Sequence, residues 1–187
     1  VLRVHDRQLR RDVAMKILRA DRDTAASRAR FEQEAQVTGQ LAHPNIVALH
    51  DTGHDQHGRP WFTMKQVDGE SLDDVIRRWG DHVAAGQMTY EVALVRGVEI
   101  LRRVCDAVAF AHSRGVVHRD LKPANVMVGA FGEVQVMDWG LARLQGDTDD
   151  QQTVSSDHVG ALETQDGALA GTPAYMSPEQ ALGQNSK

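Results

Sequence analysis

Between two runs of valine the chain places "HRDLKPAN", so that His118, Arg119, Asp120, Lys122 and Asn125 crowd into eight residues of the stretch Val116 to Val128. A buried strand cannot hold five polar side chains without partners. A surface loop, for its part, has no need of apolar walls. The stretch therefore predicts a polar loop held between two short strands, with side chains converging on something charged.

Composition narrows what that something is. The 187 residues suit one large domain or two small lobes. A net charge of −5 argues against a general nucleic-acid surface. The single cysteine, Cys105, excludes an internal disulfide framework and makes a reducing compartment the expectation. No apolar run approaches the ~18 residues of a membrane span, and no signal peptide is visible. The chain opens at Val1 without an initiator methionine and stops at "GQNSK", so both ends read as cut.

Along the chain, residues 1 to 18 read as strands. In "DVAMKIL", Val13, Met15 and Ile17 share one face and Ala14 and Lys16 the other, which turns the cation away from the apolar face. Residues 24 to 41 read as a helix with Phe31, Glu34, Thr38 and Leu41 on one stripe. Glu34 is the odd member, because an acid on an inward stripe needs a partner. "HPNIV" ends that helix and starts a strand; "PWFTMKQV" is another, broken by Asp68-Gly69. Ser71 caps a short helix, with Asp74 completing a capping box. Residues 80 to 90 read as a polar connection. A longer helix follows from about Tyr90, with Val98, Leu101, Cys105, Val108 and His112 as its stripe and Gly115 as its stop. Cys105 is thereby expected in the core, and His112 to cap or pack. "NVMV" and "VQVMD" flank a turn at "GAFGE". Residues 145 to 170 carry Asp147, Asp149, Asp150, Asp157, Glu163 and Asp166 with few large apolar residues, which predicts a mobile acidic loop. His50, His54 and His57 are spaced as metal ligands are, but they fall in a hairpin that rarely offers tetrahedral convergence, and they are read as surface histidines.

Four motifs now stand in order: "VAMK", "HRDLKPAN", "DWG" and "GTPAYMSPEQ". Each alone fits many turns. Together, at these separations, they resemble the eukaryotic-like protein kinases and, within them, the bacterial serine/threonine kinases. The resemblance covers nearly the whole chain. Phosphoryl transfer to a hydroxyl depends on charge neutralisation and alignment more than on covalent catalysis, which explains these residue types. The resemblance implies that Lys16 holds the α- and β-phosphates of ATP and that Glu34 pairs with it. It implies that Asp120 accepts the substrate hydroxyl proton, that Lys122 lies near the γ-phosphate, and that Asn125 and Asp138 hold Mg2+, which suits hard oxygen ligands. Val1, Ala14 and Met127 would sandwich the adenine, Met64 would be the gatekeeper, and Lys65 and Val67 would offer backbone hydrogen bonds. Thr172 would help fix Asp120 and Lys122. Arg119 would receive a phosphate from the acidic loop, with Thr164 the chosen acceptor.

Two departures are visible. Trp139 stands where the family has phenylalanine, so a larger ring must fit beside the first helix. The family's glycine-rich loop would lie upstream of Val1, and its last helices beyond Lys187. The resemblance therefore implies an α+β, two-lobed fold truncated at both ends. Residues 1–67 would form an antiparallel sheet plus one helix, and 68–187 an incomplete, mainly helical second lobe. The expected function is ATP- and Mg2+-dependent phosphorylation of serine or threonine on proteins, itself included, in the cytoplasm, with no nucleic acid and no membrane segment in these residues. These 187 residues alone are expected to transfer little phosphate. The rival readings are a pseudokinase that binds without chemistry, and an inert piece of a kinase.

Overall fold

A computed structural model of the chain describes residues 1–144 and 171–182. Alternation in the first 65 residues becomes four antiparallel strands, β1 (Leu2–Asp6), β2 (Arg11–Ile17), β3 (Leu49–His54) and β4 (Pro60–Lys65), in the spatial order β1-β2-β4-β3. Ala14 lies opposite Met64, and Lys16 opposite Phe62. Between β2 and β3 runs helix α1 (Ala25–Gln40), started by Thr24, whose hydroxyl accepts the Ser27 N–H at 3.2 Å. Phe31, Glu34, Thr38 and Leu41 are all buried, as their helical spacing requires.

The sheet face that meets α1 differs from the sequence reading. Ala14, Phe62 and Met64 pack with Phe31, Ala35 and Val47, while Met15 and Ile17 are only half-buried. The Ala14–Lys16 face therefore points toward the helix, not away from it. Small Ala14 makes room, and Lys16 tolerates this face because Glu34 meets it there.

The chain then crosses to a second core. Asn45 donates its side-chain N–H to the Val134 carbonyl at 2.9 Å, and Val47 N–H bonds the Val136 carbonyl at 3.1 Å. Strand β5 (Gly69–Ser71), helix α2 (Leu72–Ala84), helix α3 (Tyr90–Ser113), β6 (Val116–Val117), β7 (Val126–Gly129), β8 (Val134–Val136), β9 (Arg143–Leu144) and the short helix α4 (Pro178–Ala181) follow. β5, β7 and β8 form one antiparallel sheet, and β6 pairs with β9. The second core gathers Ile46, Val104, Ala107, Val136 and Trp139 with Val37 and Leu41 from the end of α1. Burying each large aliphatic there contributes about 1.5–3 kcal/mol.

Two local readings change. α2 continues to Ala84, so the connection at 80–90 shrinks to 85–89; Trp79 packs on the second core and carries the helix onward. Ser71 does cap α2, accepting the Asp74 N–H at 3.2 Å and donating its hydroxyl to Asp74 at 2.6 Å. In α3 the buried stripe is Ile100, Val104, Ala107 and Ala111, while Val98, Leu101, Cys105 and His112 are exposed. The helix is apolar on two faces, and the face with smaller residues fits against β6 and β8. Its end is as expected: Gly115 has φ +73° and donates to the His112 carbonyl at 2.9 Å.

Candidate functional site

The polar loop leaves β6 at Val117 and reaches β7 through a 3-10 turn at Pro123–Asn125. Its frame is His118, which is 3% exposed. His118 Nε2 lies 2.9 Å from the Met137 carbonyl, and Nδ1 lies 3.3 Å from the Asp120 N–H. A carbonyl only accepts and an amide N–H only donates, so the ring is the neutral tautomer with its proton on Nε2. Burial also pushes the His118 imidazolium below its ordinary range. The ring rests on Trp139, centroids 4.6 Å apart. The Met137 N–H donates to the Asn125 carbonyl at 2.8 Å, so the loop and the Met137–Asp138 segment are tied twice.

Asp120 is the most heavily bonded group in the loop. Its Oδ1 accepts the Thr172 N–H at 3.0 Å and the Thr172 hydroxyl at 2.9 Å. Its Oδ2 meets Lys122 Nζ at 2.8 Å and Asn125 Nδ2 at 3.2 Å. Lys122 also donates to Thr172 Oγ1 at 2.7 Å. Burial would raise the Asp120 pKa, but the bonds from Lys122 and Thr172 outweigh it and hold the carboxyl below its ordinary value. Asp120 is thus a fixed carboxylate.

The second cluster joins β2, α1 and the turn after β8. Lys16 Nζ donates to both Glu34 oxygens, at 2.6 and 2.8 Å, and lies 3.6 Å from Asp138 Oδ1. Burial pulls the Lys16 ammonium down, yet Glu34 and Asp138 outweigh that and leave its pKa raised. Asp138 has φ +59° and a half-exposed side chain. Next to it Trp139 is buried at 1% exposure, and its indole N–H has no hydrogen-bond partner among the described residues. Gly140 must stay small, because a Cβ there would lie 3.1 Å from Glu34 Oε2 and 3.4 Å from Asp138 Oδ1.

The residues expected around a base are less tightly gathered. Ala14 and Met64 are cross-strand neighbours and buried, and Val67 is buried after β4. Met127 is half-buried in the middle of its sheet, opposite Ser71 and Gln135. Val1 is 79% exposed ahead of β1. The Lys65 N–H is already spent on the Ala48 carbonyl at 2.8 Å, so it is not a donor for a ligand. Arg119 takes a left-handed φ of +68°. Thr164 and the acidic stretch 145–170 lie outside the described residues.

Three residues of the quoted motifs received no individual role from the sequence: His118, read only as one of five converging polar residues, Gly140 and Gln180. Gln180 Nε2 donates to the Arg119 carbonyl at 2.7 Å. The spacing Ser177-x-x-Gln180 is a capping-box signal that could have drawn attention to it, and the box is formed.

The protein kinase domain family matches this chain over residues 1–187. Serine/threonine-protein kinase PknB of Mycolicibacterium smegmatis is 40% identical over 184 residues, covering 96% of this chain and 26% of that protein. PknB of Mycobacterium tuberculosis is 40% identical over 185 residues, with the same coverage of 96% and 26%. Serine/threonine-protein kinase PknD of Protochlamydia amoebophila is 34% identical over 191 residues, covering 98% of this chain and 19% of that protein. The chain spans about a quarter of the length of the PknB relatives it matches. Matched along its whole length, and with residues of all four motifs gathered into two charge clusters, the chain belongs to the protein kinase domain family, with its two-lobed α+β fold and with bacterial serine/threonine kinases as its relatives.

Proposed function

We propose that the protein transfers the terminal phosphoryl group of ATP, with Mg2+, to serine and threonine hydroxyls of proteins, its own included. One observation carries the reading: Lys16 is gripped by a buried glutamate and stands 3.6 Å from Asp138, the residue of the second cluster with an open carboxylate. A lysine held this way is a fixed cation facing an acidic group, the arrangement that phosphate oxygens and a divalent cation require.

The donor set fits Mg2+. Asp138 supplies a half-exposed carboxylate. The Asn125 amide nitrogen is committed to Asp120, which leaves its amide oxygen as the remaining acceptor. Both are hard oxygen donors. Bound there, Mg2+ would neutralise phosphate charge. In this reading Lys16 orients the phosphates, and Glu34 fixes Lys16. Asp120, already ionised, accepts the proton of the attacking hydroxyl. Lys122 and Thr172 hold its carboxylate in one rotamer, and Lys122 can exchange its Asp120 contact for a phosphate oxygen. Ala14, Met64 and Met127 would wall the adenine, with Val1 closing over it and Val67 and the Lys65 carbonyl as its backbone partners. Residues 1–67 and 68–187 would act as the two lobes. A phosphate on Thr164 would engage Arg119. Among the described residues no helix is long and apolar enough to cross a membrane, and the use of ATP together with a free thiol at Cys105 supports a cytoplasmic placement of this domain.

The test is incubation of the full-length protein with γ-labelled Mg-ATP and a generic basic protein, followed by phosphoamino-acid analysis. Label on serine and threonine is expected. Tight Mg-ATP binding without transfer, or label confined to tyrosine, would overturn the reading.

A further inference from the structure

The peptide group joining Arg119 to Asp120 is the last rigid unit before the proposed base, and it is held at both ends. Its N–H donates to His118 Nδ1 at 3.3 Å. Its carbonyl accepts Gln180 Nε2–H at 2.7 Å. The orientation of the Gln180 amide is fixed by chemistry. The Arg119 carbonyl can only accept, so nitrogen must face it. The Ser177 N–H can only donate, and it points to Gln180 Oε1 at 3.2 Å. One side chain thus closes the cap of α4 and grips the backbone of the base.

Two features make that grip consequential. Arg119 holds φ +68°, a setting that a non-glycine residue keeps only when its surroundings over-determine it. Gly171 lines the same carbonyl, since a Cβ at 171 would stand 3.1 Å from Arg119 O. Thr172 then takes the Asp120 carboxylate. Residues 171–182 therefore hold Asp120 twice, by its side chain through Thr172 and by its backbone through Gln180.

We propose that Gln180 is a positioning residue that couples the seating of residues 171–182 to the orientation of Asp120 through the Arg119 carbonyl. The inference rests on the reading of Asp120 as the base. Residues 171–182 resemble the family's substrate-binding segment, so Asp120 is aligned only when that segment is seated. Without the donor, the Arg119–Asp120 peptide is free to rotate and swing the carboxylate. A displacement of ~1 Å costs on the order of 100-fold in rate. Gln180 shares no hydrogen bond with Lys16, Glu34 or Asp138, so nucleotide binding does not depend on it.

Gln180→Glu in the full-length protein separates the two roles. A carboxylate still accepts the Ser177 N–H, and negative charge is favoured in the first turn of a helix, so the cap survives. Its other oxygen then faces the Arg119 carbonyl, acceptor against acceptor. The expected result is a kcat lower by about 10- to 100-fold with the KM for ATP nearly unchanged. Gln180→Met, of similar length but with neither donor nor acceptor, should give the same split, and it decides the matter if the glutamate variant fails to fold. A folded glutamate variant with wild-type kcat, or a KM for ATP that rises in step with the loss of kcat, would overturn the proposal. A wild-type protein that transfers no phosphate would instead sink the kinase reading beneath it.

Discussion

Replacing Lys16 by methionine removes the cation from Glu34 while keeping the length of the side chain. The Glu34 side chain is 10% exposed and would lose both hydrogen bonds, with Asp138 left nearby to repel it. Breaking a buried pair in this way costs about 3–5 kcal/mol. Protonation sets a ceiling, because neutralising a glutamate of pKa about 4.3 at pH 7 costs about 3.7 kcal/mol. The Lys16 side chain is itself 30% exposed, so water already weakens the pair, and about 2–3 kcal/mol is expected. The pH dependence follows. Burial already holds the Glu34 pKa above its ordinary value despite Lys16, and in the variant it rises further, so the deficit is small near the unfolded value and grows as pH climbs toward the folded one. Its slope is at most ~1.4 kcal/mol per pH unit. Urea denaturation of the nucleotide-free full-length protein, followed by fluorescence of buried Trp139 and its two companions, Trp61 and Trp79, would measure it at pH 5 and pH 7. A deficit below about 1 kcal/mol at pH 7, or one that does not shrink at pH 5, would show that Glu34 is not held by Lys16 as described.

Other perturbations have equally defined outcomes. Gly140→Ala should push Glu34 and Asp138 apart around the new methyl, weakening Mg-ATP binding measured by calorimetry by about tenfold, the equivalent of roughly 1.4 kcal/mol. Thr172→Val removes the hydroxyl between Asp120 and Lys122 and should cost about 1–3 kcal/mol at pH 7. Because the Asp120 pKa is depressed in the folded protein, its stabilisation is present above the unfolded value and lost as pH falls through the folded one. In Thr172→Val the folded pKa climbs, so the acid-denaturation midpoint should move to higher pH. Mass spectrometry after incubation with Mg-ATP should find phosphate on Thr164 in the active protein and none in an Asp120→Asn form; an unmodified Thr164 in a fully active protein removes it as the partner of Arg119.

The sequence made most of the two charge clusters legible, because their residue types are incompatible with any bland position. Glu34 on an inward stripe demanded a cation, and Lys16 is that cation. Five polar residues between valines demanded convergence, and Asp120, Lys122, Asn125 and His118 are bonded to one another or to the same segment. Where two answers were equally apolar, spacing could not choose. α3 offers one face with Val98 and Leu101 and another with Ile100 and Val104; only the contact with β6 and β8 selects the second. The same holds for β2, where alternation marks two faces but not which one meets α1. The left-handed turn at Arg119 carries no residue signal, and the one at Asp138 only the weak signal that aspartate tolerates such backbone. Gln180 was hidden for a further reason: its capping role is local and readable, while its bond to Arg119 spans 61 positions.

In the proposed mechanism Asp120 is a base that serves the chemical step and not nucleotide binding. Asp120→Asn in the full-length protein, assayed for Mg-ATP affinity by calorimetry and for single-turnover phosphate transfer, separates the two. Affinity should stay close to wild type, because in the proposed reading Lys16 and Asp138 carry most of the contact with phosphate and Mg2+ and Asp120 carries none. Transfer should fall by about 10²- to 10⁴-fold. Equal losses of affinity and transfer, or transfer at the wild-type rate, would contradict the assignment.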